Sequence, residues 1–130
     1  MYEWVEHTAE LELRVEASSA DGIFVEALRA LAELMDAGEA GEAARHEVAT
    51  SAPDRATLLV EWLNELVYLS EARGFVPERV ARLELGETDL EASVVGRRAA
   101  TRPLVKAVTY HGLTLVEEDG RWRATVVLDV

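Results

Sequence analysis

Leu11-Glu12-Leu13-Arg14-Val15-Glu16-Ala17-Ser18-Ser19-Ala20-Asp21-Gly22-Ile23-Phe24 contains a change of period that decides the fold class. In its first half, Leu11, Leu13 and Val15 alternate with Glu12, Arg14 and Glu16, the period of two of a half-buried strand. In its second half the spacing becomes helical: Phe24, Leu28, Leu31 and Met35 form one stripe, widened by Ile23, Ala27 and Leu34. Ser18 and Asp21 between them have capping-box spacing, so Ser18 is expected to open the helix. The helix should stop near Asp36 to Gly38.

Working outward, Tyr2 and Trp4 indicate a short preceding strand, with residues 2 to 17 extended and His7 to Ala9 at the bend. Downstream, Ala37 to Ala44 is small and acidic and reads as a flexible loop, and His46 to Ser51 as a short strand. Pro53-Asp54 starts a second helix with Asp54 as N-cap, and Gly74 ends it. Leu59, Trp62, Leu63, Leu66, Val67 and Leu69 give this helix more than one apolar stripe, so it is expected to be the more buried of the two. From Phe75 the pattern is extended. Val80, Arg82 and Glu84 should share one strand face and Ala81, Leu83 and Leu85 the other; Leu90 to Val95 is a further strand. Gly96 to Pro103 reads as a basic loop carrying Arg97, Arg98 and Arg102. The clearest hairpin joins Leu113 and Leu115 to Trp122–Leu128 through Glu118-Asp119-Gly120. The sum is an α+β fold in one domain, residues 1–130, with two helices packed on a mostly antiparallel or mixed sheet of roughly seven strands.

Composition narrows the function classes. The 130 residues carry a formal charge of −12, which repels a phosphate backbone and argues against tight nucleic-acid binding. A basic partner surface or a cation suits it better. With no cysteine, disulfides, zinc fingers and thiol nucleophiles are excluded. The acidic first twenty residues do not resemble a signal peptide, and no apolar run reaches about 18 residues, so a cytoplasmic protein is expected. Asn64 is the sole amide side chain.

Of thirteen basic side chains, twelve are arginines; the exception is Lys106, in Lys106-Ala107-Val108-Thr109-Tyr110-His111. An ammonium is a compact, tunable point charge, unlike the planar guanidinium fork. Lys106 can grip an anion, and Thr109, Tyr110 and His111 add donors and acceptors. On a strand, Thr109 and His111 would share one face and Lys106, Val108 and Tyr110 the other; the alternative is a polar strand edge. Glu10 and Asp129 supply hard oxygens of the kind calcium and magnesium prefer, and Val130 adds its own. They converge only if the first bend lies beside the last strand; otherwise they are solvated carboxylates. His7 is assigned a structural hydrogen bond at the bend and His46 to solvent. No spacing of the three histidines supports catalytic zinc.

Four stretches in this order resemble the archease family: His7-Thr8-Ala9-Glu10, Leu58-Leu59-Val60-Glu61-Trp62-Leu63-Asn64-Glu65-Leu66, Lys106 through His111, and Trp122 through Val130. The resemblance implies a strand-helix-strand-strand module with a second such module inserted. It also implies an accessory protein rather than an enzyme. Its partner would be an RtcB-type RNA ligase, whose guanylylation and turnover in tRNA splicing and RNA repair it promotes. The divalent-metal site, with calcium as cofactor, would fall on Glu10, Asp129 and Val130, and partner activation on Lys106 with Thr109, His111 and His7. At Glu10 the family pattern has Asp. The extra methylene moves the carboxylate about 1.5 Å, which calcium's flexible geometry tolerates better than magnesium's. A second possibility is a binding or chaperone-like module for another nucleic-acid-modifying enzyme.

Overall fold

The computed structural model describes all 130 residues. Its elements run β1 (Tyr2–His7), β2 (Glu10–Ala17), α1 (Ala20–Met35), β3 (Glu42–Ser51), α2 (Arg55–Arg73), β4 (Phe75–Leu85), β5 (Asp89–Arg98), β6 (Ala107–Glu118) and β7 (Arg121–Asp129). Four strands form one sheet in the order β1-β2-β7-β6, and three form another in the order β3-β5-β4. Every strand pair is antiparallel. The chain is therefore β2-α1-β6-β7, preceded by β1, with a second strand-helix-strand-strand unit, β3-α2-β4-β5, inserted between α1 and β6. This is the α+β architecture expected.

The β2–β7 register follows from the alternation in β2. Leu11, Leu13 and Val15 lie opposite Leu128, Val126 and Ala124 and face the helices. Glu10, Glu12, Arg14 and Glu16 lie opposite Asp129, Val127, Thr125 and Arg123 on the other face. Helix α1 packs on β2 and β4, and α2 on β6 and the three-stranded sheet, so both sheets share one apolar cluster. Trp62 is fully buried, and its indole N–H donates to the Phe24 carbonyl at 3.0 Å, tying α2 to α1. Burial of each such side chain contributes about 1.5–3 kcal/mol.

Several local expectations shift. The N-cap of α1 is Ser19, one residue later than Ser18; its Oγ accepts from the Gly22 N–H at 3.0 Å. The later start leaves Ala20 as the first helical residue, seated in the core. Asp54 caps α2 as expected, accepting from the Thr57 N–H at 2.8 Å, and Gly74 closes it at φ 60°. The helices are equally buried, with eight of sixteen residues in α1 and nine of nineteen in α2, because α1 too is covered from both sheets.

Strand β3 begins at Glu42, so the last three residues of the expected 37–44 loop are strand, and β5 takes Gly96 to Arg98 from the expected basic loop. These segments pair with each other, Glu42 opposite Arg98 and Ala44 opposite Gly96. Small side chains hide a strand from any periodicity test. In β4, irregularities between Pro77 and Arg79 and between Val80 and Arg82 reset the alternation. Val80 therefore joins Leu83 and Leu85 against the core instead of facing away with Arg82 and Glu84. His46 is half-buried, its ring edge-on to Phe75 at 4.6 Å, not simply solvated. The β6–β7 turn has Asp119 at φ 52° and Gly120 at φ 76°, the paired positive values of a type I′ hairpin.

Candidate functional site

The tight Thr8-Ala9 turn and the end of β7 meet at one end of the four-stranded sheet. Glu10 pairs with His7 on one side and with Asp129 on the other, and Asp129 pairs with Ala107 beyond it. His7, Glu10 and Asp129 thus form one cross-strand row, on the face turned away from the helices. Directly opposed side chains have Cβ atoms about 4.5–5.5 Å apart. The ion pairs on this face join Glu3, Glu12 and Glu16 to Arg14, Arg121 and Arg123, leaving Glu10 and Asp129 without a cation. Val130 is held at the same end, its N–H donating to the Ala9 carbonyl at 3.4 Å. No three or more His, Asp or Glu side chains cluster closely enough to hold an ion by themselves.

Lys106 is exposed just before β6, and its backbone N–H donates to the Asp129 carbonyl at 2.8 Å. The register of β6 breaks between Thr109 and Thr114, where four residues on β6 oppose only Val126 on β7. Gly112 in this bulge has φ 64°, a conformation costly for any side chain bearing a Cβ. Thr109 Oγ1 donates to the Val127 carbonyl at 2.9 Å at the start of the bulge. Tyr110 turns toward α2, its hydroxyl donating to Glu61, which raises the phenol's pKa. The bulge leaves His111 lining an open depression of about 380 Å³ with His7, Glu10, Glu12 and Thr125.

Beside that depression His7 Nε2 lies 3.2 Å from Glu12, which also accepts from Arg14 Nε at 2.5 Å. The Arg14 hydrogen bond holds the Glu12 carboxyl below its ordinary value, with a smaller contribution from His7. His7 does make a hydrogen bond near the bend, and its partner is on β2. Of the expected basic patch, the Arg97 side chain is engaged, bonding Asp36 at 2.5 Å, Glu78 at 2.9 Å and the Glu39 carbonyl at 2.9 Å, while Arg98 and Arg102 are exposed and form no ion pair. Sequence reasoning assigned no role to Asn64. Its amide brackets the Val108 backbone, donating to the carbonyl and accepting from the N–H, each at 3.0 Å. Its standing as the only amide in the chain was the available signal.

Residues 2–130 match the model of the Archease protein family. Curated relatives include protein archease of Methanosarcina acetivorans, 36% identical over 99% of this chain and 95% of the relative. Others are those of Methanosarcina mazei, 33% identical with the same coverage, and Methanopyrus kandleri, 34% identical over 99% of both chains. The solution structure of protein 1598 from Methanobacterium thermoautotrophicum superposes with a TM-score of 0.76 at 26% identity, over 99% of this chain and 98% of that one. The crystal structure of an archease from Thermotoga maritima superposes with a TM-score of 0.70 at 21% identity, over 100% of this chain and 98% of that one, a likeness of fold. The chain belongs to the archease family. No helix is long and apolar enough to cross a membrane.

Proposed function

We propose that this chain is a non-catalytic cytoplasmic activator of an RtcB-type RNA ligase, promoting the ligase's guanylylation and multiple turnover in tRNA splicing and RNA repair. One observation supports it most. In a chain of the archease family, Glu10, Asp129 and the backbone of Lys106 meet at one end of one sheet. That end joins two unpaired carboxylates to the chain's sole lysine, a tip able to engage a basic, phosphate-handling active site.

Glu10 and Asp129, with a main-chain oxygen of Val130, are a hard-oxygen donor set of the kind calcium accepts. As only part of a six- to eight-fold shell, they leave positions for water or for groups of the partner. A cation bound there would neutralise the facing carboxylates and offer positive charge to a phosphate oxygen. Lys106 extends from the same end as a mobile point charge suited to an anion on the ligase or its nucleotide. The depression lined by His7 and His111 is open to solvent, suited to receiving a protruding partner group.

Single-turnover guanylylation of the cognate ligase, with and without this protein, tests the proposal. A faster first turnover and sustained later turnovers are expected. Unchanged rate and turnover would overturn it.

A further inference from the structure

Strand β6 lies at the outer edge of its sheet. An edge strand leaves alternate N–H and C=O groups without a strand partner. Val108 is such a residue, yet it is only 3% exposed, so water cannot easily serve its backbone. The carboxamide of Asn64 satisfies both groups from α2, standing in for the missing strand. Only a side-chain amide presents a donor and an acceptor in one plane for this task. Asp can accept but not donate, and a hydroxyl cannot bracket the peptide. A chain otherwise devoid of Asn and Gln keeps one where the chemistry requires it.

The held residue sits between the functional groups of the strand. Lys106 lies two residues before Val108, Thr109 follows it, and the bulge bearing His111 begins next. On the other side Lys106 is held by the Asp129 carbonyl. The segment is thus clamped from β7 and from the inserted module's helix at adjacent points. We infer that Asn64 is a positioning residue for Lys106: its clamp on Val108 fixes the strand from which the ammonium meets the partner. This rests on the accessory function proposed above.

The test uses Asn64→Asp, which keeps the acceptor for the Val108 N–H and loses the donor, alongside Asn64→Ala. Should Asn64→Ala fail to fold, Asn64→Asp carries the experiment. The first readout is hydrogen exchange of the intact protein without ligase. Faster exchange confined to residues 106–111, with β2 and α1 unchanged, is expected. The second is ligase guanylylation by wild type, Asn64→Asp, Lys106→Ala and the double variant. Asn64→Asp should lower activation about tenfold or more, as misplacing a reacting group does. It should add nothing in the Lys106→Ala background, whereas a merely structural loss would multiply. Unchanged exchange at 106–111, or multiplying losses, would overturn the positioning role. If the wild-type chain does not stimulate the ligase, the accessory function fails. The exchange of residues 106–111 then decides alone whether Asn64 holds the lysine's strand.

Discussion

Glu10 and Asp129 stand directly opposite each other on β2 and β7, 119 residues apart in sequence, and neither carboxylate forms an ion pair. Like charges in direct cross-strand register repel by a few tenths to about 1 kcal/mol. Removing one charge should therefore raise the thermal stability of the metal-free protein slightly. The same change should remove any stabilisation by calcium, which at a hundredfold excess over its dissociation constant is about 2.7 kcal/mol. Glu10→Gln and Asp129→Asn, melted with and without Ca²⁺, check both halves. A calcium-dependent rise in Tm that survives in Asp129→Asn would remove that residue from the site.

Lys106 is exposed, and it is hydrogen-bonded through its backbone, to the Asp129 carbonyl. Lys106→Arg should leave stability within about 0.5 kcal/mol of wild type. It should impair ligase activation, because a planar fork replaces a point charge. Full activity in a folded Lys106→Arg protein would exclude the ammonium from the mechanism.

The Asp36 carboxyl is held below its ordinary value, first by the Gly38 backbone N–H at 2.7 Å and then by Arg97. A carboxylate with a depressed folded-state pKa stabilises above its unfolded value, about 3.9. That contribution is lost as pH falls through the lower folded value. Tm should therefore decline below about pH 4, more shallowly in Asp36→Asn than in wild type. Because Asp36 is more than a third exposed, solvent screening keeps the difference modest. Parallel acid slopes in both proteins would contradict the assignment.

Gly96 lies under the first irregularity of β4, where a Cβ would stand 2.0 Å from the Val76 carbonyl oxygen and 2.9 Å from Pro77 Cα. Backbone atoms cannot step aside as a flexible side chain can. Gly96→Ala should cost about 3 kcal/mol or more, read by chemical denaturation. A loss below about 1 kcal/mol would mean that the β4–β5 pair shifts register freely.

Elements were legible where side chains carry the period. The alternation Leu11-Leu13-Val15, the stripe Phe24-Leu28-Leu31-Met35 and the Asp119-Gly120 turn each determine local structure through their own chemistry. The ends of β3 and β5 were not, because Ala43, Ala44 and Gly96 have no side chain large enough to mark a face. Faces in β4 were misassigned because its irregularities depend on how β5 pairs, a tertiary fact. At the candidate site, residue types marked Glu10, Asp129 and Lys106, but their adjacency is a matter of strand order. The sole amide marks Asn64 as unusual, but its part in bracketing Val108 depends on β6 being an edge, which is again a matter of strand order.

Strand β7 fills the gap between β2 and β6, joining a hairpin early in the chain to one more than a hundred residues later. Closing so distant a contact is slow, since chain entropy must be surrendered before the pairing repays it. A molecule with both helices and the smaller sheet already formed, but β7 still outside, has neither a facing acidic pair nor a backbone anchor for its lysine. The facing carboxylates and the lysine's anchor are thus assembled only when β2 and β7 pair, so hydrogen-exchange protection of the β2–β7 amides should lag behind recovery of helical circular dichroism.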